Sequence, residues 1–512
     1  MGKKPHVAII GAGFSGLRCA DILAQNGAQV TVFEARNRTG GRVHQSKIED
    51  HLVDLGPNWI HGTGKNPIVG IAALTETTIE DFNGYQMLFA PDRNLLDSEL
   101  AIKLSEVLWN TIGEAFKYSN AHKDTIPPDR SLLDFFRERI EKTSLTPLEK
   151  ELCIELSRLW GAYVGDPIER QSLKFFCLEE CIDGNNYFVA STYRAILEHV
   201  SKVAIEKTDV RLNQPVVKID SKLRDGLRTP CEVALTTATG ETFQFDEVVV
   251  TCPLGWLKRN QAAFNPELPP RLTQAINNIS YGRLEKVYVT FPQAFWHTEQ
   301  DSKPTSTDGT PSEDNPTFIQ FLDPVYTEHP EGIIWNQECI SLAALPTHCA
   351  QPTLLFYTYG PCATYIVLKV KNLDSSSEEY YNFLDAFLHP FYSSLSGYSE
   401  TSKDCKPLAF LATQWQNDPY AGHGSYCNFQ VGLESADRDI EVLRAGVGVD
   451  RGVWFAGEHT APFVALGTTT GAYWSGERAA AQICELYGLG RDGLGPERDD
   501  SLPSASGKKS AV

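Results

Sequence analysis

The sequence predicts an α/β protein: a Rossmann-like nucleotide-binding unit interleaved with a second, α+β unit. Three observations carry this. Residues 5–34 read as strand, glycine turn, helix and strand in immediate succession. A helix-patterned region runs from about 76 to 190, and short β-rich runs separated by turns return after 209.

The first element is the apolar run Pro5-His6-Val7-Ala8-Ile9-Ile10. It leads into Gly11-Ala12-Gly13-Phe14-Ser15-Gly16, an amphipathic helix from Leu17 to Asn26, and a second apolar run from Ala28 to Glu34. In a G-x-G-x-x-G turn of this kind, Gly11 permits the tight turn and Gly13 lets the backbone approach a pyrophosphate. Gly16 lets the helix pack closely on the strand. The helix N-terminus, around Ser15, offers unpaired N–H groups and a positive dipole end to phosphates. Glu34 closes the second strand eighteen residues after Gly16, where a carboxylate accepts hydrogen bonds from ribose hydroxyls. With all four parts in place the reading is a dinucleotide site rather than an ordinary glycine loop.

The residues after Glu34 distinguish between dinucleotides. Ala35-Arg36-Asn37-Arg38-Thr39 leads into Gly40-Gly41-Arg42, two adjacent glycines and a cation able to wrap and neutralise a second phosphate. A nicotinamide dinucleotide has no need of that second clamp. Next comes Asp54-Leu55-Gly56-Pro57-Asn58-Trp59-Ile60-His61-Gly62. In these two segments the chain resembles the flavin-containing amine oxidase family, and the polyamine oxidases most. The resemblance recurs at Val248 to Lys258 (VVVTCPLGWLK) with Phe264 to Pro269, at Trp454 to Thr460 (WFAGEHT) and at Gly471 to Gly476 (GAYWSG). It spans residues 5 to about 485, with the motifs in family order.

The resemblance implies non-covalent FAD, held by Gly11, Gly13, Ser15, Gly16, Glu34, Ala35, Arg36, Gly41, Arg42, Gly56, Pro57, Asn58, Trp59, Val216, Glu458 and Thr469. Ser425 stands where monoamine oxidases carry the cysteine that attaches flavin covalently. Glu458 is expected to accept hydrogen bonds from ribityl or ribose hydroxyls, and Thr469 to offer a backbone donor near the pyrimidine carbonyl. The helix expected over Gly471 to Leu486 would point its N-terminus at the isoalloxazine ring.

Three residues are implied in the chemistry. Lys286 opens an alternating strand and resembles the family lysine that holds a water against flavin N5; there, partial desolvation would lower its pKa. From context alone it also reads as an exposed strand-end lysine. His61 resembles a histidine that orients the amine or a water, with a satisfied loop histidine as the alternative. Tyr426 resembles one wall of an aromatic sandwich that attracts alkylammonium groups, with a core tyrosine as the alternative.

Length and composition fit. At 512 residues and a net charge of −19, the chain holds two domains and argues against nucleic-acid binding. A negative field gathered in a cleft would concentrate a polycationic substrate; composition alone equally fits an acidic surface that keeps the protein soluble. No run of eighteen apolar residues suggests a membrane span. Twelve cysteines without a C-x-x-C read as reduced core residues, including Cys177 and Cys181 on one helix face. The N-terminus leads directly into a core strand and the C-terminus Ser510-Ala511-Val512 is unlike S-K-L, so a cytoplasmic protein is expected.

Helices are expected over Leu95 to Tyr118, Ser131 to Glu141 and Leu148 to Trp160. Runs at Val210 to Leu212, Val216 to Ile219, Cys231 to Thr237 and Phe243 to Thr251 suggest an antiparallel meander. Tyr288 to Phe291 and Leu354 to Tyr359 suggest a second sheet. By this division 1–75, 195–285 and 405–488 bind FAD, and 76–194 and 286–404 bind substrate. Residues 300–316 read as a mobile insertion and 489–512 as a disordered tail.

The expected reaction is oxidation of an amine, foremost a polyamine or its acetylated form. Hydride passes to flavin and the imine hydrolyses to an aldehyde and a shorter amine; dioxygen then takes the two electrons from the reduced flavin and becomes hydrogen peroxide. Many polyamine oxidases carry a histidine where Thr470 stands, and Ala461 to Gly467 also departs from the usual polar pattern, so substrate identity stays open. An L-amino-acid oxidase would need an arginine clamp for the carboxylate, and none is identifiable. A lysine demethylase would need an added module, and a non-catalytic flavin scaffold is the remaining reading. No metal is expected.

Overall fold

The computed structural model describes residues 4–81, 85–226, 230–297 and 316–495. Strand β1 (His6–Ile10), helix α1 (Phe14–Gln25) and strand β2 (Gln29–Phe33) form the expected unit. The helix starts three residues earlier than the apolar pattern suggests, because the glycine turn is itself its first turn. Gly11 has φ 109°, a backbone only glycine adopts without strain. A Cβ on Gly16 would run into the Gly11 carbonyl oxygen, so the third glycine sets how closely α1 lies on β1.

Five parallel strands make the first sheet, in the order Val453–Phe455, Glu247–Val250, β1, β2 and Asp209–Arg211. Val7, Ile9, Val30, Val32 and Val249 are almost fully buried, the near-continuous apolar pattern of a parallel sheet covered on both faces. This corrects the meander. Only Val216–Ser221, Val233–Thr237 and Thr242–Phe245 pair antiparallel, joined in parallel by Phe264–Asn265. The run from Phe243 to Thr251 breaks at Asp246, whose carboxylate accepts the His6 N–H at 2.8 Å. Beyond that residue the chain leaves one sheet and enters the other.

The second sheet has six strands: Ala409–Ala412, Leu284–Thr290, Thr353–Tyr359, Gln337–Ser341, Pro316–Phe321 and Tyr85–Phe89. The strand expected to alternate, Leu284–Thr290, is buried from Glu285 onward. It is central in the sheet, and both faces are covered. Helices Ser98–His122, Leu132–Glu141 and Pro147–Arg158 pack beside it, the last two started by capping boxes at Ser131 and Thr146.

The expected domain limits do not follow the sheets. Ala409–Ala412 lies past 405 yet joins the six-stranded sheet. A three-stranded sheet of Trp59–Ile60, Tyr187–Val189 and Ile79–Asp81 straddles the limit at 75. The proposed insertion falls outside the described residues except Pro316, which opens a strand. Of the proposed tail, 489–495 is held on α1: Arg18 donates to Gly493 O at 2.5 Å, and Asn26 exchanges hydrogen bonds with Asp492. The remainder lies outside the described residues. Cys177 sits in the single turn Phe176–Glu179 and Cys181 beyond it, so they share no helix face. Among the described residues no cluster of His, Cys, Asp or Glu could hold a metal, and no helix is long and apolar enough to cross a membrane.

Candidate functional site

One cavity of about 1300 Å³ runs from the C-terminal ends of the parallel strands to the face of the six-stranded sheet. Usual small-molecule pockets hold roughly 300–1,000 Å³, so there is room for a dinucleotide and a second ligand. Every candidate flavin-binding or catalytic residue lines it except Gly16, whose part is the packing of α1. The place is the crevice beyond the carboxyl ends of an open α/β sheet, where such folds bind ligands.

At one end, Glu34 is 4% exposed and accepts the N–H groups of Ala12 at 2.8 Å and Arg36 at 2.9 Å. The loop to Val216 is tied to it through Gln214 N and Glu34 O. Helix α1 has Gly13 as its N-cap, with no side chain bonded to its first-turn N–H groups. A Cβ on Gly13 would meet only Gly41 Cα, at 4.0 Å. The glycine turn and Gly41, at φ 60°, thus leave a cradle of bare backbone with a helix dipole at its base. These features fit the phosphates and ribose of a dinucleotide.

The second clamp is already paired. Arg42 donates to Glu458 at 3.0 Å and to the carbonyl of Ser425 at 2.5 Å. Burial pushes the Glu458 carboxyl up, but Arg42 and His459 outweigh it and hold the group below its ordinary range. Glu458 therefore serves Arg42 as well as any hydroxyl in the cavity. Arg36 pairs with Asp418 at 2.6 Å, and Arg38 donates to the carbonyls of Thr39 and Gly41. Thr469 is the first residue of the C-terminal helix Thr469–Tyr487, which Thr468 caps; its hydroxyl lies 3.2 Å from that of Tyr193.

Further in, Lys286 is 5% exposed, which excludes the surface alternative. Its ammonium donates to the carbonyls of Asp54, at 3.1 Å, and Gly56, and lies 5.7 Å over the Tyr357 ring. Burial drives the Lys286 pKa down and the Asp54 pKa up. Tyr288 bonds the same Asp54 carbonyl, fixing the floor. His61 Nδ1 is 3.2 Å from Asn186 Oδ1, half-buried on the cavity wall. Tyr426 is half-buried rather than a core residue, and donates to Tyr163 O at 2.5 Å.

Sequence reasoning missed the polar wall. Tyr357 donates to Asn58 at 2.9 Å and accepts from Trp59 at 3.3 Å, while Trp59 stacks on Phe318 with 6.2 Å between rings. Glu338 is 3% exposed and accepts from Gln320 at 2.7 Å; burial, eased by that bond, raises its pKa to about 7. Glu179 accepts the Phe429 N–H, and burial raises it to about 8. Asn58 and Trp59 belong to the motif around His61, but Tyr357, Glu338, Gln320 and Glu179 lie in no local motif.

The chain matches the profile of flavin containing amine oxidoreductases over residues 14–484. It is 27% identical to "Probable polyamine oxidase 4" of Arabidopsis thaliana over 508 residues, 94% of this chain and 88% of that one. It is 28% identical to "Corticosteroid-binding protein" of Candida albicans, over 94% and 96% of the two chains. To "Peroxisomal N(1)-acetyl-spermine/spermidine oxidase" of Bos taurus it is 25% identical, over 95% and 96%. A nucleotide cradle fitted to FAD, a buried lysine beside it and this match lead to one assignment: the chain belongs to the flavin-containing amine oxidoreductases and is an FAD-dependent amine oxidase.

Proposed function

We propose that the protein oxidises polyamines. The observation that carries this is the lining beyond the flavin clamps: the five carboxyls Asp81, Glu114, Glu179, Glu180 and Glu338 outnumber the cations Lys117, Arg259 and Lys286, among aromatic walls. Such a lining concentrates and seats a polycation. The relatives named for polyamine and acetylpolyamine oxidation support it. An amino-acid substrate fits less well. The lining arginines are Arg36, Arg42 and Arg259. The first two face carboxylates, and Arg259 donates to the carbonyls of Gly255 and Gly422.

When bound, FAD supplies a two-electron acceptor for the α-carbon hydride and a route to dioxygen, so that water then hydrolyses the imine to an aldehyde and a shorter amine, with hydrogen peroxide as the other product. The chain's residues do the rest. Glu34 and the α1 cradle hold the adenosine and phosphate end, and Arg42 with Glu458 the second clamp. Lys286 has three donors and commits two to carbonyls, leaving one N–H to hold a water in the cavity. Burial eases loss of a proton from its Nζ. His61, oriented by Asn186, and Tyr426, anchored on Tyr163, position the amine.

The test is a peroxide-coupled assay over spermine, spermidine, their acetylated forms, monoamines and amino acids. Faster turnover of a monoamine or an amino acid than of any polyamine would overturn the reading.

The flavin should be non-covalent. Ser425 cannot form a thioether, and burial raises the thiols of Cys252 and Cys427, the lining cysteines nearest the clamps, away from the reactive thiolate. Acid or heat should release free FAD; flavin absorbance that stays with the denatured polypeptide would show otherwise. We place the protein in the cytoplasm, and peroxisomal concentration of tagged protein would refute that.

A further inference from the structure

The six-stranded sheet carries a row of side chains that the flavin chemistry does not account for. Lys286 pairs with Tyr357, Tyr357 with Glu338, and Glu338 with Gln320, across four neighbouring antiparallel strands. Residues directly opposite in such pairs project from the same face. Strands lie about 4.8 Å apart, so Glu338 stands two strands, roughly 10 Å, from Lys286 along the cavity.

Glu338 is nearly fully buried, and its one hydrogen-bond partner among the described residues is Gln320. A carboxylate left this way is costly unless a cation comes to it. No lysine or arginine of the chain pairs with it among the described residues. Behind it lies a second cavity of about 20 Å³, sharing Trp160, Tyr163 and Phe318 with the large one. A space that size holds one water-sized group.

Acceptors dominate that niche. Besides the Glu338 carboxylate it has Gln86, whose Oε1 accepts from Ser105 at 3.2 Å, and Gln320. Gln320 Oε1 is buried without a hydrogen-bond partner. A primary ammonium is donor-only with three N–H groups, and is close to water in size. The Trp160 indole N–H, also unpartnered, is a donor and does not serve a cation.

We infer that Glu338, backed by Gln320, recognises a second, non-reacting primary ammonium of the substrate and makes this enzyme selective for amines that carry one. This rests on the polyamine reading and adds the residue and the end-group chemistry. A free –NH₃⁺ fits the niche, whereas an acetylated end is too large for it and lacks the charge.

The test compares spermidine with N-propylbutan-1-amine, the same secondary amine without either end nitrogen, in wild type and Glu338→Gln. The amide is isosteric and can still accept from Gln320, and retained FAD absorbance confirms the fold. Hydrogen bonds to a charged group predict a roughly ten- to hundredfold fall in kcat/KM for spermidine, mainly through KM. The control amine should change by no more than about twofold, read from its inhibition constant against spermidine if it turns over slowly. Glu338→Asp should show a smaller loss on spermidine alone. Equal losses on both amines, or none on either, would overturn the Glu338 assignment. If wild type oxidises neither these amines nor spermine nor any acetylated polyamine, the polyamine reading falls and the assignment with it; if it oxidises acetylated polyamines but not spermidine, the assignment alone falls.

Discussion

Gly13→Val should yield a folded, colourless protein. The added side chain meets nothing but Gly41 Cα within 4 Å of its Cβ, so the polypeptide tolerates it. What it occupies is the bare-backbone cradle where a pyrophosphate must approach α1. Overpacking of a close-fitting site costs about 1–3 kcal/mol, and about 3 kcal/mol is roughly a hundredfold in affinity. Purified variant should carry essentially no flavin by absorbance while keeping the wild-type circular dichroism. Gly16→Val is the contrast, because its Cβ would strike the Gly11 carbonyl and Ile9; that variant should fail to fold. A Gly13 variant that stays yellow would show that the phosphates lie elsewhere.

Lys286→Met should keep both fold and FAD and lose rate. Methionine fills a similar volume, and Tyr288 still bonds the Asp54 carbonyl that the ammonium leaves. The loss is a positioned cation and the water it holds. Groups of this kind contribute roughly ten- to a thousandfold. In stopped flow the oxidative half-reaction should slow more than the reductive one if the held water serves proton transfer during reoxidation. His61→Ala, at another point of the cavity lining, should instead change amine affinity. Unchanged rates in both half-reactions of Lys286→Met would mean that its ammonium only braces the Asp54 loop.

What could be read from the sequence was local. The turn from Gly11 to Gly16 and the acid at Glu34 announce themselves because strand, turn and helix chemistry fall within one short stretch. The helix start at Ser131 is equally local, set by a capping box; the next helix, expected from Leu148, begins one residue earlier, at Pro147, behind the capping box at Thr146. The rest depended on partners far along the chain. Asp209–Arg211 and Glu247–Val250 look like neighbours of the antiparallel run between them, yet each pairs with β1 or β2. In the sequence Lys286 opens an alternating strand; burial on both sides of a strand inside the sheet erases that alternation. Glu338 lies in a polar-looking stretch, Asn336-Gln337-Glu338-Cys339, that gives no sign of facing a cavity. Its setting is made by Gln320 and Tyr357, which arrive from other strands.

The pairing of the chain's two ends has a consequence for biosynthesis. The parallel sheet gains its last strand, Val453–Phe455, beside Glu247–Val250. The C-terminal helix then packs on α1, with Gly476 against Ser15 and Arg18 bonded to Glu477. Glu458 and Thr469 belong to that late segment, while the glycine turn at Gly11 to Gly16 is made far earlier in the chain. At ribosomal speeds of about 5–20 residues per second, the turn waits on the order of 20–90 seconds for its counterpart. Once made, Glu247–Val250 pairs with β1 on one side and leaves its other side an open apolar edge, a template for wrong pairing, for roughly the last 10–40 seconds of that interval. A nascent chain therefore cannot complete the flavin pocket until this late segment has emerged and packed on α1.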